Sequence, residues 1–114
     1  WGGSIGFWTQ NLESGDWYVS DSWLALAGYT REEWKARTAA WHECIHPDDR
    51  ARVQAEVGRF AAGQAESLAL EYRWLTKCGD WIWVLVRARA AERDAAGRPL
   101  RVLGTTVDVT ALKK

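Results

Sequence analysis

Methionine is absent from this chain of 114 residues, and cysteine, proline and histidine occur only twice each. Each scarcity closes off a class of protein. Cys44 and Cys78 have neither the close spacing of a metal site nor the density of a secreted disulfide scaffold, which reads as reduced thiols in a cytoplasmic protein. Fifteen basic residues balance fifteen acidic ones, so there is no long-range field to hold a phosphate backbone or an anionic bilayer. No nucleic acid partner and no direct membrane contact are therefore expected. No apolar run approaches the roughly 20 residues of a membrane-spanning helix, and no charged start with an apolar stretch and small-residue cleavage site opens the chain. The length suits one domain with a real core and no separate catalytic unit. What the chain has in excess is tryptophan, nine residues of it. Tryptophan packs a large apolar area with few rotatable bonds, which suits a rigid core, a ligand cavity or a dimer interface.

The order of elements follows from local signals. Ile5 to Thr9 and Trp17 to Ser20 are short apolar runs around a turn containing Gly15, a β-hairpin pattern. Ser20 or Asp21 caps a helix of about two turns that stops at Gly28. Thr30 and Glu33 form a Thr-x-x-Glu capping box, with Tyr29 and Trp34 spaced for the hydrophobic staple. Thr38 is placed to cap a third brief turn through Trp41 and His42. His46-Pro47-Asp48-Asp49 then opens one long helix: proline suits the first helical position, and the carboxylates suit the positive end of the dipole. Val53, Val57 and Phe60 form its inward stripe and Gly63 ends it. Three strands complete the chain: an alternating Leu68 to Trp74, a long Trp81 to Glu92, and Leu100 to Val109, with turns at Thr76 to Asp80 and Asp94 to Pro99. Two strands, several helices, then three strands in meander order predict an α+β fold, an antiparallel sheet with helices gathered on one side. No internal repeat is present.

The long strand is apolar on both faces. Trp81, Trp83 and Leu85 point one way while Ile82, Val84 and Val86 point the other. Helices cover one face only, so the other is expected to meet a second subunit, a flanking helix or another domain. On the preceding strand Glu71 and Arg73 share a face, where cross-strand ion pairing to Arg87 or Arg89 is the ordinary expectation.

Six segments taken together resemble the PAS domain family. They are Ile5-Gly6-Phe7-Trp8, Leu26-Ala27-Gly28-Tyr29, Ile45-His46-Pro47-Asp48-Asp49-Arg50, Glu71-Tyr72-Arg73, Gly79 with Trp83-Val84, and Gly104 through Asp108-Val109-Thr110. The chain is most similar to the subgroup marked by His-Pro-Asp-Asp and a terminal Asp-Val/Ile-Thr. One departure is Lys77-Cys78-Gly79, where the family usually reads Lys-Asp-Gly; Gly79 still supplies the turn geometry. The resemblance implies a five-stranded antiparallel sheet with helices on one face enclosing a small-molecule cavity. It implies a sensor domain over residues 1–110, with residues 111–114 starting a linker helix to an output domain. The parent it implies is a bacterial sensor histidine kinase or diguanylate cyclase acting as a homodimer, paired through the outer sheet face or flanking helices. A purely structural dimerisation spacer is the alternative reading.

Catalysis is not expected from this chain. It lacks a nucleophile elbow, a phosphate loop and a metal pair, and a small enzyme would need His46, Asp48 and Asp49 to converge on a cleft. His46 reads as a helix cap and His42 as a surface residue. Haem is disfavoured, because haem-binding members usually carry a histidine on the long helix and Asp48 to Ala62 has none. Flavin is disfavoured as well. Flavin photosensors of the superfamily carry a reactive cysteine in Asn-Cys-Arg-Phe and a glutamine on the last strand, where this chain has Glu43-Cys44-Ile45-His46 and Thr106. The cavity candidates are Trp34, Trp41, Tyr72, Trp74 and Thr106, a set of apolar walls with a hydroxyl. Filling of the core is the simpler role for their rings.

Overall fold

The structure, a computed structural model, describes residues 5–113, without the side chains of residues 38–40. The expected cap at Thr38 falls on one of those side chains; the first four residues of the expected domain and Lys114 of the expected linker also lie outside the described residues. Strands β1 (Ile5–Asn11) and β2 (Trp17–Val19) are followed by helices α1 (Asp21–Ala27) and α2 (Arg31–Arg37) and a 3₁₀ segment over Thr38–Cys44. Helix α3 (Pro47–Ala61) leads to strands β3 (Ser67–Leu75), β4 (Trp81–Arg93) and β5 (Pro99–Asp108), and a 3₁₀ turn over Thr110–Lys113 ends the described chain. The five strands form one antiparallel sheet in the order β2-β1-β5-β4-β3. The fold is α+β, as the element order predicts.

Capping chemistry sets the helix starts. Ser20 Oγ accepts from the Trp23 N–H at 3.2 Å, and Gly28 closes α1 at a φ of +83° that favours glycine. The box at α2 is reciprocal: Glu33 N–H donates to Thr30 Oγ1 at 3.2 Å, and Thr30 N–H donates to Glu33 Oε1 at 2.9 Å. Tyr29 and Trp34 complete the staple with ring centroids 5.4 Å apart. His46 Nδ1 accepts from the Asp48 N–H at 3.1 Å and caps α3 ahead of Pro47.

One face of the sheet is the core face. Trp8, Val19, Leu70, Tyr72, Trp74, Val84, Val86 and Val102 are buried there against Trp23, Leu24, Trp34, Val53 and Phe60 from the helices. Two glycines permit close approach within this core. A Cβ on Gly104 would stand 2.1 Å from indole carbons of Trp8, and one on Gly6 would stand 2.7 Å from the Trp23 backbone. The sheet's opposite face carries Phe7, Thr105, Arg87 and Ala69 in one cross-strand row, with Trp83 and Leu85 further along β4.

The expected pairing of Glu71 or Arg73 with Arg87 or Arg89 does not form. The register sets Leu85 opposite Glu71 and Trp83 opposite Arg73, so the β4 arginines stand opposite Ala69 and Ser67. Arg73 turns over the sheet edge to Asp49, with Nη2 to Oδ1 at 3.0 Å, and Glu71 pairs with Lys113 at 2.9 Å. The sequence offers Asp49 as a dipole partner of α3; its link to β3 spans 24 residues and depends on tertiary register.

Candidate functional site

Between the sheet and α3 lies a cavity of about 180 Å³. Its walls are the inward stripe of α3 (Val53, Val57, Phe60), the inner residues of the sheet, and a ring of tryptophans: Trp8, Trp17, Trp23, Trp34, Trp41 and Trp74. All five cavity candidates, Trp34, Trp41, Tyr72, Trp74 and Thr106, line it. The tryptophans therefore form core and cavity wall together, because bulky rings meeting at angles of 46° to 73° leave a gap that aliphatic side chains would fill. Gln10, Trp8 and Trp17 also contribute to the wall and were not among the candidates; the alternation of β1 is the signal that finds Trp8 and Gln10, while Trp17 lies on β2.

Almost every wall atom is apolar, which makes the polar exceptions informative. Trp74 Nε1 is buried with no hydrogen-bond partner among the described residues, and Thr106, 6% exposed, also lines this cavity. Tyr72 lines the same wall, and burial pushes its phenol well above its ordinary pKa. A buried polar group without a partner, such as the Trp74 indole N–H, costs about 1–3 kcal/mol, so native proteins normally satisfy it with protein, water or ligand.

A second polar cluster lies at the start of α3. Asp49, buried, accepts from the Arg73 N–H at 2.9 Å and from its Nε at 3.1 Å through Oδ2, and from Nη2 at 3.0 Å through Oδ1. The Arg73 guanidinium holds the Asp49 carboxyl down at about 2. Asp48, by contrast, is exposed. His46 Nδ1 lies 3.8 Å from Asp48 Oδ2 and serves as the helix cap, while both Asp49 oxygens are engaged by Arg73.

The Arg73 guanidinium lies 5.2 Å from the Trp83 ring centroid, and Lys113 Nζ lies 4.7 Å from the same ring. The backbone of Trp83 is bound to the C-terminal turn: its N–H donates to Thr110 Oγ1 at 3.0 Å, and its carbonyl accepts from the Val109 N–H at 2.8 Å. Asp108 Oδ1 accepts from both the N–H and the hydroxyl of Thr110. The motif residues Asp49, Arg73, Trp83, Asp108 and Thr110 thus form one connected path from α3 to the C-terminal turn. Gly79 takes a φ of +93° in the tight turn that sets the register of β3 against β4.

A family model of the PAS fold matches residues 16–106. The chain belongs to the PAS family. Among its relatives is the blue-light-activated histidine kinase of Brucella ovis, 32% identical over 111 residues, which are 97% of this chain and 21% of that protein. The chain thus spans about a fifth of the length of the curated relatives it matches. A crystal structure of the sensory box histidine kinase/response regulator from Burkholderia thailandensis is 34% identical with a TM-score of 0.80, covering 96% of this chain and 80% of that one. The N-terminal domain of the diguanylate cyclase with PAS/PAC sensor from Marinobacter aquaeolei shares the fold at a TM-score of 0.80 and 22% identity, covering 96% of this chain and 99% of that one. This PAS domain is a sensory domain of signal transduction, and its relatives are parts of larger bacterial signalling proteins.

A light-oxygen-voltage domain described with a flavin analogue shares the fold at a TM-score of 0.66 and 20% identity, covering 95% of this chain and 79% of that one. Cys44, weighed against the reactive cysteine of flavin photosensors, has no exposed surface and is not part of the cavity wall. A cavity of about 180 Å³ also lies below the roughly 300 Å³ at which pockets for larger ligands begin.

Proposed function

We propose that this PAS domain senses a small, flat, largely apolar molecule of one ring or a fused pair, held by tryptophan faces and one hydrogen bond to Thr106. The observation that carries this reading is an otherwise apolar cavity whose wall holds the buried Trp74 indole N–H, without a hydrogen-bond partner among the described residues, together with Thr106. An engineered apolar cavity of about 150 Å³ is known to take benzene, so the volume here suits a ligand of that order. The path from α3 through Asp49, Arg73 and Trp83 to Lys113 supports the second half of the proposal: occupancy of the cavity alters the packing of α3 and is read at the C-terminal turn, where a linker to the output domain begins. The parent is a sensor histidine kinase or a diguanylate cyclase, cytoplasmic at this domain and paired as a homodimer through flanking helices. Signalling of this kind requires that the ligand bind one packing state more tightly than the other.

Isothermal titration with indole tests the site. Binding is expected to weaken about tenfold in Thr106→Val, the loss of one hydrogen bond worth about 1.4 kcal/mol, and to vanish in Ala88→Phe, which fills the cavity. No heat with indole, no small molecule retained in native mass spectrometry, and a raised Tm in Ala88→Phe would instead identify a structural spacer.

A further inference from the structure

The cavity between the sheet and α3 has a floor and a mouth. Wall residues on the inner strands, among them Tyr72, Trp74, Val86 and Thr106, are buried, whereas Gln10, Leu12, Trp17, Trp41 and Val57 are half-buried and Ala61 is exposed. The partly exposed group gathers where β1 turns into β2, on the 3₁₀ segment and on the C-terminal half of α3. Gln10 is the register partner of Trp17, the Trp17 and Trp41 rings lie 6.2 Å apart, and Val57 and Ala61 stand one helical turn apart.

Two features of this mouth specify charge. The first is aromatic. Trp8 and Trp17 have ring centroids 5.3 Å apart at 46°, and Trp17 and Trp41 meet at 57°. Rings inclined in this way do not cover one another, so their electron-rich faces border a shared space, as in the aromatic cages that recognise ammonium groups. The second is ionic. The turn between β1 and β2, which places Leu12 in the wall and leads into Trp17, carries Glu13 and Asp16, both exposed, and residues 10–18 contain no lysine or arginine. The arginines of adjoining elements are paired: Arg101, opposite Asn11, with Glu92 at 3.5 Å, and Arg59 on α3 with Glu56 at 3.5 Å. A carboxylate tail at the mouth would meet like charge and the negative faces of the rings. An ammonium tail meets opposite charge at both. The floor calls for a ligand on a separate observation, the buried Trp74 indole N–H without a hydrogen-bond partner among the described residues.

We infer that the ligand is an arylalkylamine: a ring or fused pair in the cavity, with a protonated amine on a short chain at the mouth, held by the faces of Trp17 and Trp41 and by the carboxylates of the β1–β2 turn. The inference rests on the reading of the cavity as a ligand site and adds the charge of what it takes. A volume of about 180 Å³ accommodates the ring and leaves the chain at the mouth.

Isothermal titration of the 114-residue chain with four compounds that share one ring system tests it: indole, tryptamine, N-acetyltryptamine and indole-3-acetate. Tryptamine is expected to bind roughly fivefold more tightly than indole, and more tightly than N-acetyltryptamine, whose chain is neutral, while indole-3-acetate binds more weakly than indole. The double variant E13Q/D16N is expected to lower the tryptamine affinity about threefold and leave that of indole unchanged. Trp17→Leu is expected to shrink the preference for tryptamine over indole, with circular dichroism confirming that each variant is folded. Tryptamine binding no tighter than indole, N-acetyltryptamine binding as tightly as tryptamine, or a preference unmoved by both variants would overturn the inference while indole binding leaves the cavity reading standing. Binding of none of the four compounds would remove both.

Discussion

Asp49 shows how one carboxylate can tie a helix to a sheet. Its oxygens receive three hydrogen bonds from Arg73, and Arg52 adds an ion pair at 3.6 Å. Because its pKa is depressed from 3.8 to about 2, the carboxylate contributes stability that is fully present above pH 4 and lost as pH falls from about 4 to 2. The expected size is about 2 kcal/mol, measurable as a fall in the urea midpoint across that window. Asp49→Asn should lose about 2–3 kcal/mol at pH 7 and remove most of this pH dependence, because Arg73 then keeps its charge without a counter-ion. A variant as stable as the wild type at pH 7 would show that the pair is a bystander. Gly104 acts at the same scale through space alone. Gly104→Ala should cost about 1–3 kcal/mol and shift tryptophan emission, because the new methyl displaces Trp8 from the cavity wall.

At the scale of elements, the start of α3 protects the free edge of β3. The His46 N–H donates to the Arg73 carbonyl at 3.0 Å, Asp49 takes the Arg73 N–H, and Arg52 Nη2 donates to the Glu71 carbonyl at 2.8 Å. An open edge strand would otherwise invite pairing with another chain. The His-Pro-Asp-Asp segment is legible in the sequence as a helix start, since capping and dipole chemistry are local. Its second role is not, because it requires β3 to be brought alongside. The same division explains the rest. The capping box at Thr30, the stop at Gly28 and the alternation of β3 act within a few residues and are readable from them. The pairing of β1 with β5, the partners of Glu71 and Arg73, and the gap between tryptophan rings depend on contacts across most of the chain. Tyr72, Trp74 and Thr106 are legible from the alternation of β3 and β5, whereas Trp34 and Trp41 lie on α2 and the 3₁₀ segment, and the existence of the cavity depends on ring angles that periodicity does not encode. Trp83 carries a prediction at this scale. Trp83→Leu removes two cation–π contacts, each worth about 0.5–1 kcal/mol, and should raise hydrogen exchange at the Leu112 N–H, which donates to the Val109 carbonyl. Unchanged exchange there would show that Lys113 does not depend on the ring.

For the whole molecule, the sensory role joins these pieces in one direction. The cavity is lined by Val53, Val57 and Phe60, which lie on the same helix as Asp49, so the proposed ligand would touch that helix. Asp49 holds Arg73, Arg73 lies over Trp83, and the Trp83 backbone anchors the turn that ends in Lys113. On the proposed reading, a small displacement of α3 is passed along these contacts to the C-terminal turn. Lys113→Ala should leave indole affinity unchanged while reducing the effect of indole on the C-terminal turn, which separates transmission from binding; equal loss of both would merge the two roles.

The most direct test of this coupling is a nitrogen–proton correlation spectrum of the chain titrated with indole. The account predicts shifts at Thr106 and Val86 in the cavity wall, accompanied at the same midpoint by shifts at Arg73, Trp83 and Lys113. Shifts confined to the cavity wall, or none at Thr106 at saturating indole, would contradict it.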